Sequence, residues 1–479
     1  MILTFLRKSR TPGVTPANLF LLRGNFFMKL FQRSGLLTAF LVFFSISLMA
    51  QQRYILEAQP QSLQRVLSQY GLTLVKTIAD EDSTDAVYAV TAPGITPSPT
   101  LLALVGSDPS VEEFEVDDVV DAPESDPGSG ATASLQAVAA LAADTSTTTF
   151  YSTQVRTIYV SQPASDTVNI TEAHGVTAGT GTVAVIDDGV DPSHAALYNV
   201  LVPGYDFVNG AAGTPSELSD LSQAANSALG NSASASAGSK TATATLNQST
   251  VAILDQSTVA ILDGSGALPS DFGHGTMVAG LIHLVAPNAK IMPIKSFSSN
   301  GTGNLSDILG GIYYAADHGA TVINMSFSQT VASQSLATAV AYAASKGAIC
   351  VASAGNNGKP ELVFPAALPN VIGVGSTNNN GLPSLFSNYG VASVFMSAPG
   401  EALITTYPGN NYAAVWGTSF SAALVSGAVA ALGGVAPGIP FSQASTALIN
   451  GEHVAPSMGH SLLDVMSSIE YLISSHGDN

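Results

Sequence analysis

Three short segments hold residue types suited to nucleophilic chemistry, in the order Asp, His, Ser. The first is Val183-Ala184-Val185-Ile186-Asp187-Asp188-Gly189-Val190-Asp191, with His194 just beyond. A carboxylate that ends a β-branched run lies at the carboxyl edge of a sheet, where open α/β sheets gather their sites. The second is Phe272-Gly273-His274-Gly275-Thr276-Met277-Val278-Ala279-Gly280, a histidine between glycines at the head of an apolar helix of small residues. The glycines let substrate and neighbouring backbone approach closely. The third is Trp416-Gly417-Thr418-Ser419-Phe420-Ser421-Ala422-Ala423-Leu424-Val425-Ser426-Gly427. Its serine opens an apolar helix, where unpaired N–H groups and the helix dipole favour nearby negative charge. Each residue alone has a duller explanation: a strand-ending Asp, a structural His, a helix-capping Ser. Together they describe a carboxylate that orients an imidazole, an imidazole that takes a proton, and a hydroxyl that attacks an acyl carbon.

The elements that must position these groups can be read from residue patterning. From about residue 150 the chain alternates apolar strands with helices. Val183 to Ile186, Lys290 to Lys295, Thr321 to Met325, Ile349 to Ala352 and Val371 to Val374 read as strands. Ile308 to His318 and Ala337 to Ser345 read as helices. Continuous apolar strands between helices predict an α/β fold, a mainly parallel sheet covered on both faces. An insert at 211–265 interrupts the pattern. Ala224 to Thr245 is a low-complexity Ala/Ser/Gly/Thr stretch, read as a surface loop. The octapeptide Gln248 to Asp255 is then repeated from Gln256 to Asp263. Two copies are too few for a solenoid. They read either as a replication slip tolerated in a loop or as an edge hairpin.

Order and local sequence resemble the subtilase family of serine peptidases, over roughly residues 165–470. Two further segments carry the resemblance: Ala352-Ser353-Ala354-Gly355-Asn356-Asn357-Gly358, followed by Phe364-Pro365-Ala366, and Val322-Ile323-Asn324-Met325-Ser326-Phe327. The resemblance implies a subtilisin-like fold and a catalytic triad of Asp187, His274 and Ser419. It makes Asn356 a side-chain donor to the oxyanion, and it places Ser326, Phe327, Ser328 and Gly355 along the substrate groove. This chemistry needs no cofactor and no metal; structural calcium is common in the family, but no ligands can be assigned to it residue by residue. Three positions depart from the usual pattern. Asp188 stands where Ser or Thr is common, and a second carboxylate there is expected to raise the His274 pKa. Ala423 replaces a common Pro in the serine helix, and Ser328 replaces a common groove glycine. Two other classes fit less well. A non-catalytic scaffold of the same fold would usually have lost one of Asp187, His274, Asn356 or Ser419. An α/β-hydrolase esterase needs Gly-x-Ser-x-Gly and the order Ser, Asp, His. The phosphate loop of the P-loop type is also missing from the sequence.

The N-terminal third reads as targeting and processing sequence. Residues 1–27 differ in texture from residues 28–50, and Met28 is a candidate start. Residues 28–50 read as a signal peptide, with Lys29 and Arg33 before an apolar run and Ala50 as the last residue before cleavage. An uncleaved anchor is the alternative, although the run falls short of the ~20 residues of a membrane span. Residues 52–122 have the order β-α-β-β-α-β, a small α+β ferredoxin-like unit. Between a signal and such an enzyme, this unit resembles the propeptide of secreted subtilases, an intramolecular inhibitor; an unrelated accessory domain is the alternative. Residues 123–150 read as a linker holding the processing cut, and 151–479 as the peptidase domain. The expectation is thus a secreted serine endopeptidase, made as a self-processing zymogen, that acts on polypeptides without stable membrane association. Composition agrees. Of 479 residues, 46% are hydrophobic and 10% charged, which supports a large core. A net charge of −19 argues against a nucleic-acid partner. The single cysteine, Cys350, sits in the run Ala348-Ile349-Cys350-Val351-Ala352 and reads as a buried strand residue.

Overall fold

The computed structural model describes residues 51–79, 86–121, 145–223, 245–248, 251–253, 269 and 271–477. The start extension, the signal segment, most of the linker, residues 224–244 of the low-complexity stretch and the second octapeptide copy lie outside them.

The N-terminal unit consists of β1 (Gln51–Ala58), α1 (Leu63–Tyr70), β2 (Thr73–Ala79), β3 (Ala86–Pro93), α2 (Pro99–Gly106) and β4 (Val111–Val116). Its four strands form one antiparallel sheet in the order β2-β3-β1-β4. This is the ferredoxin-like arrangement expected from the order of elements. Val66 and Leu67 of α1 and Val105 of α2 close its core over Tyr54, Leu56, Tyr88 and Phe114. A short strand, β5 (Val119–Asp121), comes next.

The main body is built on an eight-stranded sheet: β8 (Thr182–Asp187), β9 (Gly204–Asp206), β10 (Ala211–Gly213), β13 (Lys290–Lys295), β15 (Val322–Met325), β16 (Ile349–Ser353), β17 (Val371–Thr377) and β18 (Met396–Pro399). Their order is β10-β9-β13-β8-β15-β16-β17-β18, parallel except for β10 at the edge. The apolar runs are continuous because both faces are covered. Val183 and Val185 of β8 face one core, with the helices α3 (His274–Val285) and α6 (Thr418–Val435). Ala184 and Ile186 face the other, with α4 (Leu305–Asp317) and α5 (Gln334–Ser345). Cys350 faces this second core and is fully buried, which pushes its thiol up to about 12. Helix α6 is long and apolar enough to cross a bilayer, but it runs through the interior and is buried from Thr418 to Leu432.

A second sheet joins β11 (Thr245–Gln248), β12 (Val251–Ile253), β20 (Asn411–Val415) and β19 (Leu403–Tyr407), in that order. The first octapeptide copy therefore supplies a strand, β12, paired antiparallel with β20. The remaining strands form two short antiparallel pairs. Strand β6 (Thr147–Phe150) pairs with β7 (Thr153–Arg156), and β14 (Thr302–Asn304) pairs with β5. Strand β6 falls within the range read as linker, yet Phe150 is buried against Tyr159 and His283, so the packed body begins before residue 151.

The two units share a core. Ile55, Val87 and Val120 of the N-terminal unit pack with Ile186, Ile308 and Phe327 of the main body. Polar contacts frame this seam at the heads of α4 and α5. Asp117 accepts from the Ser306 N–H and hydroxyl (both 2.8 Å) and from Arg53 Nε (2.7 Å). Glu115 accepts from the Ser333 hydroxyl (2.6 Å) and the Ser335 N–H (3.2 Å). Lys76 pairs with Asp307. Carboxylates at helix N-termini satisfy N–H groups that have no partner within the helix.

Candidate active site

Asp187 ends β8, and His274 opens α3. Both Asp187 oxygens lie 2.9 Å from His274 Nδ1, and both side chains are buried. The imidazole therefore donates through Nδ1, which leaves Nε2 as the basic nitrogen. Helix α3 reaches this place because its small residues allow it to pack tightly. A Cβ on Gly280 would fall 2.2 Å from the Thr406 hydroxyl, and one on Gly427 of α6 would fall 2.7 Å from Val285 Cβ. The two helices that carry His274 and Ser419 cross at that glycine. Phe420, next to Ser419, sets its ring 5.3 Å from the imidazole.

Ser419 lies in the first turn of α6, without exposed surface. Its hydroxyl donates to the Ser326 carbonyl (3.3 Å), and the Ser326 hydroxyl donates to the Ser419 carbonyl (3.1 Å). Asn356 is brought to the same helix head. Its Oδ1 accepts from the Thr418 N–H and hydroxyl, both at 2.9 Å. With Oδ1 so held, Nδ2 is the donor end of this side chain, close to the first-turn N–H groups of α6. Thr418 Oγ1 also accepts from the Gly355 N–H (3.1 Å). Thr418 thus ties the Asn356 loop to the serine helix; in the sequence its hydroxyl is indistinguishable from a helix-start filler.

Phe327 is fully buried against Phe297. Ser328 is half-buried beside Gly355, whose backbone is left-handed (φ 90°). A Cβ on Gly355 would sit 3.2 Å from the Ser328 hydroxyl. Strand β14 carries none of the motifs singled out in the sequence. It is recognised by its partner: Val120 of β5 is opposite Gly303 and enters the apolar core that holds Phe297, Leu305, Phe327 and Leu336. His194, just beyond the Asp187 segment, turns instead to β20, with its Nε2 on the Asn411 carbonyl (2.9 Å). Ala423 is fully buried in the core.

Asp188 also makes contacts to the backbone of α3. Its carboxyl turns to the backbone on both sides of His274, accepting from Gly273 N–H (3.1 Å) and Gly275 N–H (2.8 Å). Burial, then Glu217 and Asp187, push its pKa well above the carboxylate range. The negative charge that it places beside the imidazole is reduced accordingly, and its geometric role is to bracket the histidine.

Residues 179–458 match the subtilase family. The chain is 35% identical over 250 residues to the thermophilic serine proteinase of Bacillus sp. (strain AK1), covering 52% of this chain and 51% of that protein. It is 32% identical over 267 residues to thermitase of Thermoactinomyces vulgaris, covering 53% of this chain and 76% of thermitase. The chain thus spans about half the length of the Bacillus relative and about three quarters of thermitase. In fold it is similar to fervidolysin from Fervidobacterium pennivorans, described as a keratinolytic enzyme related to subtilisin. The TM-score is 0.62 at 20% identity, over 88% of this chain and 61% of that one. The chain belongs to the subtilase family.

Proposed function

We propose that this chain is a secreted serine endopeptidase that hydrolyses peptide bonds and processes its own precursor. The observation that carries the reading is the pairing of buried Asp187 with His274 Nδ1, beside a serine at the head of a buried helix. In this reading the Ser419 hydroxyl attacks the scissile carbonyl while His274 Nε2 takes its proton and later returns it to the leaving amine. Asp187 keeps the proton on Nδ1 and stabilises the imidazolium. The Asn356 Nδ2 and the Ser419 backbone N–H receive the oxyanion. Ser326, Phe327, Ser328 and Gly355 form one wall of the substrate groove, and Thr302 to Asn304 form the other.

The N-terminal unit acts as the intramolecular inhibitor. Strand β5 runs antiparallel to β14, as a bound polypeptide would, with Val120 in the apolar hollow. Backbone pairing at a sheet edge gives affinity, and alternate side chains give specificity. The processing cut then falls after Asp121 and before Thr147, where the packed body begins. The purified full chain is expected to cleave itself within that interval, and Ser419→Ala to remain intact and fail to hydrolyse a peptide substrate, a loss of roughly 10⁶ in kcat. Self-cleavage that survives Ser419→Ala would refute the assignment.

A further inference from the structure

Behind the site lies a buried polar cluster that the triad does not need for its chemistry. It is delivered by the start of the insert between Asp187 and His274. Residues 217–220 form a single helical turn docked on the Asp187-Asp188-Gly189 corner. The Val190 N–H donates to the Pro215 carbonyl (3.0 Å). Gly189 is left-handed (φ 113°), and a Cβ there would meet the Glu217 nitrogen at 2.6 Å, so this corner must be glycine. Asp220 anchors the other end of the turn. Its Oδ2 accepts from buried Lys295 Nζ (2.8 Å) and from the Ser299 N–H and hydroxyl (2.8 and 2.6 Å). Lys295 Nζ also donates to the Asp188 carbonyl (2.7 Å) and the Phe297 carbonyl (3.0 Å).

Glu217 has no exposed surface. Its Oε1 accepts from the Thr276 hydroxyl, two residues along the helix from His274, and its Oε2 lies 3.1 Å from the Ser216 hydroxyl. Thr276 Oγ1 in turn accepts from the Asp191 N–H (2.7 Å). The first turn of α3 is therefore held at consecutive residues: Gly273 and Gly275 by Asp188, the His274 ring by Asp187, and Thr276 by Glu217. The first two holds come from the β8 corner itself; the third comes from the insert. The charged and titratable groups facing Glu217 are Asp188, Asp191, Lys295 and Tyr407. Burial and then Asp191 push its carboxyl up to about 8, so at neutral pH it is a protonated group and acts as a hydrogen-bonding strut.

We propose that Glu217 is a positioning residue for the general base, fixing the rotation of the His274 helix through the Thr276 hydroxyl. This rests on the peptidase reading above. A small misplacement of the imidazole is enough to cost a large factor in rate.

The test uses the full chain with Glu217→Gln, Glu217→Ala and Thr276→Val, measuring kcat and KM on a chromogenic peptide from pH 6 to 10. Gln keeps a neutral acceptor in place and should retain at least about a third of the wild-type kcat. Ala should lower kcat by roughly 10–100-fold and KM by less than about threefold, as expected for misplacement of a reacting group. Thr276→Val should fall in the same direction, and the Ala/Val double variant should be little worse than the worse single one. Wild type should show a step in kcat near pH 8 that Glu217→Gln lacks. In a Ser419→Ala background, the downfield proton resonance of His274 Nδ1–H should shift or broaden with Glu217→Ala but not with Glu217→Gln. That signal needs no turnover. An inactive wild type with the expected resonance behaviour would sink the peptidase reading and leave the positioning role standing. If Gln loses as much as Ala, or if neither kcat nor the resonance responds to Ala, the proposal is overturned. Should Ala fail to fold, the Gln pH profile and Thr276→Val decide.

Discussion

His283 sits two and a half turns below His274 on the same helix, and its titration should govern acid stability. It is buried at 3% exposure, and neither ring nitrogen has a hydrogen-bond partner among the described residues. Phe150 meets its ring edge-on at 5.5 Å. Burial, then the nearby His194 and His174, lower its pKa from 6.5 to about 4. A depressed histidine pKa means that the fold holds the neutral ring while the unfolded chain takes up a proton. Stability is therefore lost as pH falls from 6.5 towards 4, and the loss is complete below the folded value. At about 1.36 kcal/mol for each tenfold, the interval corresponds to about 3 kcal/mol. His283→Leu, of similar volume, removes that titration and also a buried polar ring without partners. In a Ser419→Ala background, which prevents self-digestion, thermal midpoints would be followed from pH 8 to 4. The variant should gain about 4 °C on wild type across that range, beyond any constant offset. His174, whose pKa is also lowered by burial, contributes to both curves and cancels in the difference. Parallel curves would show that His283 does not carry the acid sensitivity and that the site is more open to water than its burial implies.

Two further outcomes rest on the bracket around His274 and on the seam between the two units. Asp188→Ser leaves one acceptor for the two amides that bracket His274. Its kcat/KM should fall about tenfold, the worth of one lost buried hydrogen bond, while the acid limb of the pH–rate profile moves by less than about half a pH unit. A shift of a full unit would restore the charge effect expected from the sequence. Asp117→Ala removes three donors' partner at the head of α4. It should weaken the hold on the N-terminal unit by about 2 kcal/mol, seen as earlier loss of the cleaved 51–121 fragment on size exclusion. Unchanged co-elution would refute the seam's polar contribution.

The proposed reacting groups are legible in the sequence because each is embedded in a short segment whose backbone demands are local. A strand must end at Asp187, glycines must flank His274, and a helix must start at Thr418. The ferredoxin-like order is legible for a similar reason, since α1 and β4 fall where periodicity puts them. Glu217 is not legible. It lies in a polar stretch that resembles solvated loop, and only the docking of that turn onto Gly189 removes it from water. The proposed groove rim at Thr302 to Asn304 escapes as well, because it is defined by a partner strand far away in sequence. The boundary at residue 151 misses β6 because a Thr-rich strand lacks the alternation that marks a half-buried one, and Phe150 alone carries its packing.

The run of buried residues from Thr418 to Leu432 has a consequence for survival. The proposed protease works among copies of itself, and a chain can be cut only where it can be drawn out as an extended strand. The α6 segment can do so only if the whole body opens, so its amide hydrogens should exchange at the rate of global unfolding. Nicks should accumulate first at the periphery, such as the exposed turn around Leu382 and Leu385. The proposed nucleophile, Ser419, is thus carried by one of the segments of the molecule least available as a substrate.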